Sequence, residues 1–137
     1  MPRSLRFGIV AALLLIAVGC NRESALPKTY PGTGNVVYHD GKPMQGGSLQ
    51  FTSASDPLLR VVGENKNDGT FTLRTVKENA HGAGVPEGEY RVIVQPPALE
   101  SGGGIQGKSQ PAISLPDTFK VEAKENTFKI VVPEPLP

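Results

Sequence analysis

Cys20 carries the only thiol in the chain. It is the one side chain here able to form a thioether, so covalent modification at sulfur is the first chemistry the sequence offers. The cysteine closes a segment that opens with Arg3 and Arg6 and continues as 13 uncharged, largely apolar residues over 7–19. That run is shorter than the roughly 18–20 apolar residues needed to cross a bilayer as a helix. It fits instead the h-region of a secretory signal. Ala17-Val18-Gly19 place small residues where a signal peptidase must fit the chain.

Other constellations have suitable residue types in unsuitable surroundings. Gly102-Gly103-Gly104-Ile105-Gln106-Gly107-Lys108-Ser109 satisfies G-x-x-x-x-G-K-[ST], the phosphate-cradling P-loop, letter for letter. That loop needs a buried strand before it and a helix starting at the Lys-Ser, whose amides face the phosphate. Pro96-Pro97 stand upstream and Pro111 follows Ser109 by two residues, so a Gly-rich loop without nucleotide is expected. His39 and His81, the two histidines, have neither H-x-H nor H-E-x-x-H spacing, and no metal site is expected from them. Asn65, Asn67 and Asp68 resemble half of a calcium loop, but the D-x-[DN]-x-[DN]-G spacing fails and no glutamate stands at the twelfth position. Ser48 lacks the G-x-S-x-G elbow of a nucleophilic serine and falls on an expected strand. No catalytic residue and no cofactor is therefore assigned.

The segment ending at Cys20 resembles a bacterial lipoprotein lipobox, with Ala17 at a position where leucine is commoner in that motif. The resemblance implies cleavage before Cys20, a diacylglycerol on its sulfur, and a mature chain anchored to a membrane. Acyl chains contribute about 0.8 kcal/mol per buried CH₂. Loss of Arg3 and Arg6 with the leader turns the formal charge from +1 to −1. Acylation leaves no free thiol for disulfides, thiol catalysis or cysteine zinc sites. Asn21, rather than aspartate, follows the cysteine, which favours the outer over the inner membrane. The expected layout is a signal peptide over 1–19, Cys20 with a flexible tether to residue 32, one domain over 33–133, and a Pro-rich tail over 134–137.

The elements that position these residues are strands. Glycine and proline make up 29 of 137 residues, tryptophan is absent, and aromatics are 6%. Such breaker content argues against helical bundles and for short strands joined by turns. With a net charge of +1 and both signs spread along the chain, no basic field for nucleic acid is evident. Period-2 alternation recurs at 35–38, 48–52, 59–63, 70–74, 89–95, 119–122 and 128–132. It places Leu49, Phe51, Phe71, Leu73, Tyr90, Val92, Phe128 and Ile130 in one shared core. Asp40-Gly41 and Asp68-Gly69 supply hairpin-type turns. The expectation is an all-β, seven-stranded antiparallel Greek-key sandwich. It is interrupted by Gly-rich residues 79–88 and a weakly periodic stretch over 96–116.

These residues also carry a resemblance. Gly34-Asn35-Val36-Val37-Tyr38-His39-Asp40-Gly41-Lys42-Pro43, Gly46-Gly47-Ser48-Leu49-Gln50-Phe51, Asn67-Asp68-Gly69-Thr70-Phe71-Thr72-Leu73 and Pro86-Glu87-Gly88-Glu89-Tyr90-Arg91-Val92 are similar to the successive motifs of carboxypeptidase regulatory-like, transthyretin-like domains. The resemblance covers about residues 33–132 and implies a transthyretin-like sandwich with an accessory or adhesion-like role. The hydrolase of that fold ends in Tyr-Arg-Gly-Ser, whereas this chain ends Val132-Pro133-Glu134-Pro135-Leu136-Pro137, so its activity is not implied. An isopeptide cross-link to Asn126 would need an inward lysine on the first strand, and none stands there. The expected function is a non-enzymatic, lipid-anchored envelope module. The alternative is a carbohydrate- or peptide-binding domain with a loop site. Its possible partners are an envelope protein or glycan, with Tyr30, Tyr38 and Tyr90 as the only tyrosines for a stacking platform.

Overall fold

The computed structural model describes residues 26–99 and 107–134. The leader, Cys20 and residues 135–137 lie outside the described residues. Strands carry the described fold, without a helix. In chain order they are β1 (Thr29–Tyr30), β2 (Gly32–Tyr38), β3 (Ser48–Ser53), β4 (Leu59–Asn65), β5 (Thr70–Lys77), β6 (Ala80–Ala83), β7 (Val85–Pro86), β8 (Gly88–Gln95), β9 (Ile113–Val121) and β10 (Asn126–Val132). One long sheet runs β10-β2-β5-β4-β3-β8-β9, with β6 beside β5, and β1 pairs separately with β7.

Strict alternation buries one face of that sheet. In β4, Leu59, Val61, Gly63 and Asn65 point inward between exposed Arg60 and Glu64, and β5 repeats the pattern with Phe71, Leu73 and Thr75. The eight residues assigned to the core by alternation are all buried. Phe51 stands at the centre, its ring centroid 5.5–6.4 Å from those of Phe71, Tyr90, Phe119 and Phe128. Phe119 and Phe128 meet at 6.2 Å, so the end strands β9 and β10 approach each other and the sheet is nearly a barrel.

Three expectations are corrected. The pairing is not antiparallel throughout: β10 runs parallel to β2, with Phe128 opposite Gly34 and Ile130 opposite Val36. Gly34 makes this possible, because a Cβ there would collide with the Phe128 carbonyl oxygen and lie 2.6 Å from the Phe71 ring. The end of the expected tether, residues 29–32, belongs to the fold. Thr29 and Tyr30 pair with Pro86 and Val85, and Gly32 is already buried as the first residue of β2. Finally, the two interrupting stretches contain strands. Residues 80–86 hold β6 and β7, and β9 begins at Ile113 rather than near Phe119. In β9, residues 115–117 bulge between the Ser114–Ile93 and Thr118–Arg91 pairs, which hides the strand's period.

Side-chain hydrogen bonds fix the corners. Tyr90 donates its hydroxyl to the Pro86 carbonyl at 2.9 Å, tying the start of β8 to the preceding turn. Asn126 braces the β9–β10 connection: Nδ2 donates to the Glu122 and Lys124 carbonyls, and Oδ1 accepts from the Glu122 amide. Gly69, at φ 83°, packs its α-carbon against Pro43 and accepts from the Val36 amide at 2.7 Å. A side chain there would be both strained and within 2.8 Å of the Pro43 Cβ.

Two measurements check this packing. Phe71→Ala should cost about 3–5 kcal/mol in urea melts of the full chain, as buried Phe truncations do. Thr72→Ala, on the exposed side of the same strand, should cost less than about 1 kcal/mol; equal small losses would displace the strand by one residue. The second concerns Tyr90, whose hydroxyl is pushed from 10.0 up to about 12 by burial, with the Asp56 carboxylate adding to the shift. A tyrosine in the unfolded chain ionises near 10.0, whereas Tyr90 in the folded chain holds its proton to about 12. Its contribution is therefore complete below the lower value and is lost as pH rises between the two. Urea midpoints across that window should fall in the parent chain and fall less steeply in Tyr90→Phe.

Candidate functional site

The open end of the seam between β9 and β10 forms a concave face. Turn residues 122–125 and the Phe119–Phe128 contact close one end of the seam. Toward the other end, Leu115 and Phe119 of β9 face Lys129 and Val131 of β10 across a groove of about 530 Å³. It continues past Ile113 and Pro133 into a hollow of about 230 Å³ lined by Tyr38, Pro96, Gln110 and Pro111. Leu99 and Pro43 extend the apolar rim on the far side of Tyr38.

Local hydrogen bonds hold these walls. Gln110 Nε2 donates to the Pro97 carbonyl at 2.7 Å, and Gln95 Nε2 donates to the Gln110 carbonyl at 2.8 Å. The proline segment and the approach to β9 are thereby clamped together through side-chain amides, since a proline offers no backbone N–H. Tyr38 ends β2 half-buried. Burial and then the nearby Asp40 carboxylate raise its hydroxyl above the ordinary tyrosine value, so it stays a neutral donor at the rim. Proline rings, one phenol face and one amide can stack against and orient an extended peptide or a sugar ring. They offer no nucleophile held against a base.

The residues singled out by motif are not brought together. Lys108 lies beside Leu99, each amide donating to the other's carbonyl at 3.0 Å, so the Lys108 amide is engaged by protein. Ser109 leads into β9, a strand and not the helix a phosphate loop needs. His39 is exposed in the turn after β2, whereas His81, within the Gly-rich stretch expected to interrupt the sandwich, lies on β6. Among the described residues, no three His, Cys, Asp or Glu side chains converge as metal ligands. Asp68 accepts from the amide and hydroxyl of Thr70, which hold its carboxylate below the usual range. Ser48 faces outward on β3 between Glu64 and Gln95. Asn126 is occupied by the β9–β10 turn.

Asn65 departs from its motif reading altogether. It is buried, and Nδ2 donates to the Met44 and Gly46 carbonyls at 2.6 and 2.8 Å, while Oδ1 has no hydrogen-bond partner. It fastens the loop before β3 to the end of β4. Its inward position in the β4 alternation could have signalled this role; the Tyr38–Gln110 hollow had no comparable sequence signal. In comparisons with known proteins, no family model, no curated protein and no solved structure matches the chain.

Lys108→Ala should leave both stability and nucleotide affinity unchanged, since the Lys108 side chain is exposed and its backbone bonds to Leu99 survive the change. Isothermal titration with Mg-ATP checks this: micromolar binding in the parent that disappears in the variant would restore the phosphate-loop reading.

Proposed function

We propose that this chain is a lipid-anchored cell-envelope module with a structural or binding role and no catalytic one. It is built as a transthyretin-like, Greek-key β-sandwich resembling carboxypeptidase regulatory-like domains. The observation that carries the anchor is Cys20, the sole thiol, at the end of a short apolar run behind two arginines. The fold reading is supported by the Tyr90–Pro86 hydrogen bond, a tyrosine corner of the kind found in Greek-key sandwiches. The packing of Gly69 on Pro43 supports it too, since it joins two motifs of the resemblance that lie far apart in sequence.

A ligand-binding reading is favoured by the Tyr38–Gln110 hollow and the groove leading from it, which suit an extended peptide or a glycan. Tyr38 is the tyrosine placed for stacking there; Tyr90 is 1% exposed, and Tyr30 lies beneath the Lys28 ammonium, 5.6 Å from its ring centroid. A glycan array and a pull-down from envelope extract, each run with parent and Tyr38→Ala, separate this reading from a purely structural role.

Cys20→Ser should move the protein from the membrane to the soluble envelope fraction. The mature parent should exceed its polypeptide mass by the lipid. An unmodified Cys20 in intact-protein mass spectrometry would overturn the anchor.

A further inference from the structure

Charges that are scattered along the chain are sorted into a band by the sheet. Strand register sets Arg91 of β8, Thr52 of β3, Arg60 of β4, Val76 of β5 and His81 of β6 in one row. The adjacent row runs Ile93, Gln50, Val62, Arg74 and Ala83. These side chains point away from the core, because the residues alternating with them, among them Phe51, Val61, Leu73 and Val92, are buried. The two rows thus hold three exposed arginines and a histidine, and no carboxylate. Glu89, opposite Lys120, and Glu64, opposite Thr72, stand in the flanking rows. Strands lie about 4.8 Å apart, so Arg91 and Arg60, two strands apart, recur at about 9.6 Å. Among the described residues none of the three arginines has an ion-pair partner. Half-buried Val62, Val76 and Ile93 give the band an apolar floor.

The chain enters the fold at one end of this band. Leu26 packs on the core side of β6, the side Gly82 shares with its buried partner Thr75, where a Cβ at Gly82 would come within 2.8 Å of its Cδ1, so the chain comes in around the edge of β6. Thr29 Oγ1 donates to the Ala83 carbonyl at 2.8 Å. Leu26 is six positions from Cys20, at most about 20 Å of extended chain. A lipid on Cys20 would therefore keep the β6 end of the band within reach of the membrane surface, at the high effective concentration a short link gives, and leave the arginines to decide which face turns toward it.

We propose that the outer face of β8-β3-β4-β5-β6 docks on an anionic lipid surface through Arg60, Arg74 and Arg91, whose planar guanidiniums match lipid phosphates. This rests on the lipid-anchor reading of Cys20. The experiment uses the mature acylated protein in phosphatidylcholine vesicles with and without phosphatidylglycerol. Acylation blocks Cys20, so a fluorophore on Thr52→Cys marks the band. One on Thr127→Cys marks β10, which faces β3 across the core through the Phe51–Phe128 contact. A headgroup-linked quencher should dim the Thr52→Cys label in phosphatidylglycerol vesicles at low salt and leave the Thr127→Cys label bright. Each Arg→Gln change should lower the ratio of docked to undocked protein about five-fold, and high salt should abolish the difference. Co-flotation without preferential quenching, or quenching indifferent to phosphatidylglycerol and to the arginines, would overturn the docking alone. Failure of the native protein to float with either vesicle would overturn the anchor and the docking with it.

Discussion

The ring of Phe51 holds together strands that a flat sheet would keep apart. In sheet order, β3 and β10 are separated by four strand spacings, about 19 Å at ordinary strand separation. The Phe51 and Phe128 centroids are nevertheless 5.5 Å apart. Phe119 on β9 and Phe128 on β10 lie at opposite ends of the order, about 29 Å apart along a flat sheet, yet their rings are 6.2 Å apart. Only a sheet curled around the aromatic cluster satisfies both distances. Tilted and edge-to-face pairs contribute about 0.5–1.5 kcal/mol each beyond the area they bury. The curl thus rests on a few rings as well as on the aliphatic lining.

Curling this tightly requires room on the inner surface of β2. Gly34 provides it by omitting the side chain that would strike the Phe128 backbone and the Phe71 ring. β10 can then lie parallel beside β2 while Phe71 reaches the centre from the other neighbour. The β9–β10 turn, braced by Asn126, carries the chain across the seam without a ladder between the two strands. A groove at the other end of the seam is the geometric consequence. The concave face thus follows from how the barrel-like sheet is nearly closed.

Alternation made much of this readable. Leu49, Phe51, Phe71, Leu73, Tyr90, Phe128 and Ile130 are each flanked by polar or exposed positions, Val92 is so flanked on its Arg91 side, and a period of two assigns their face without knowledge of partners. Pairing direction is another matter: Phe128 and Ile130 would look the same in a parallel or an antiparallel neighbour of β2. The two-residue β1 and β7 are too short to show any period, and the bulge at 115–117 breaks the period of β9. The Tyr38–Gln110 hollow was illegible for a related reason. Its walls come from loops whose positions depend on tertiary clamps such as Gln110 to Pro97. The arginine band was half legible: alternation puts Arg60, Arg74 and Arg91 outside, but register across five strands is needed to align them.

The fold gives its two outer regions opposite directions. Thr29 and Leu26 lie near the start of β2, and Tyr38 ends it, so the hollow stands a full strand, about 20 Å, from the entry point of the tether. The arginine band covers the outside of β3 and its neighbours, while β10 lies across the core from β3. With the band against lipid, the β9–β10 groove and the Tyr38 hollow open away from the membrane, toward the space where a peptide or glycan would be met. A longer tether would weaken this orientation, because the domain could then turn freely at little cost in effective concentration. Pairing of Thr29 and Tyr30 with β7 takes the last residues of the expected tether into the fold and so works against such turning. The shortness of the tether is therefore what would let three exposed arginines, each weak alone, set which way the groove faces.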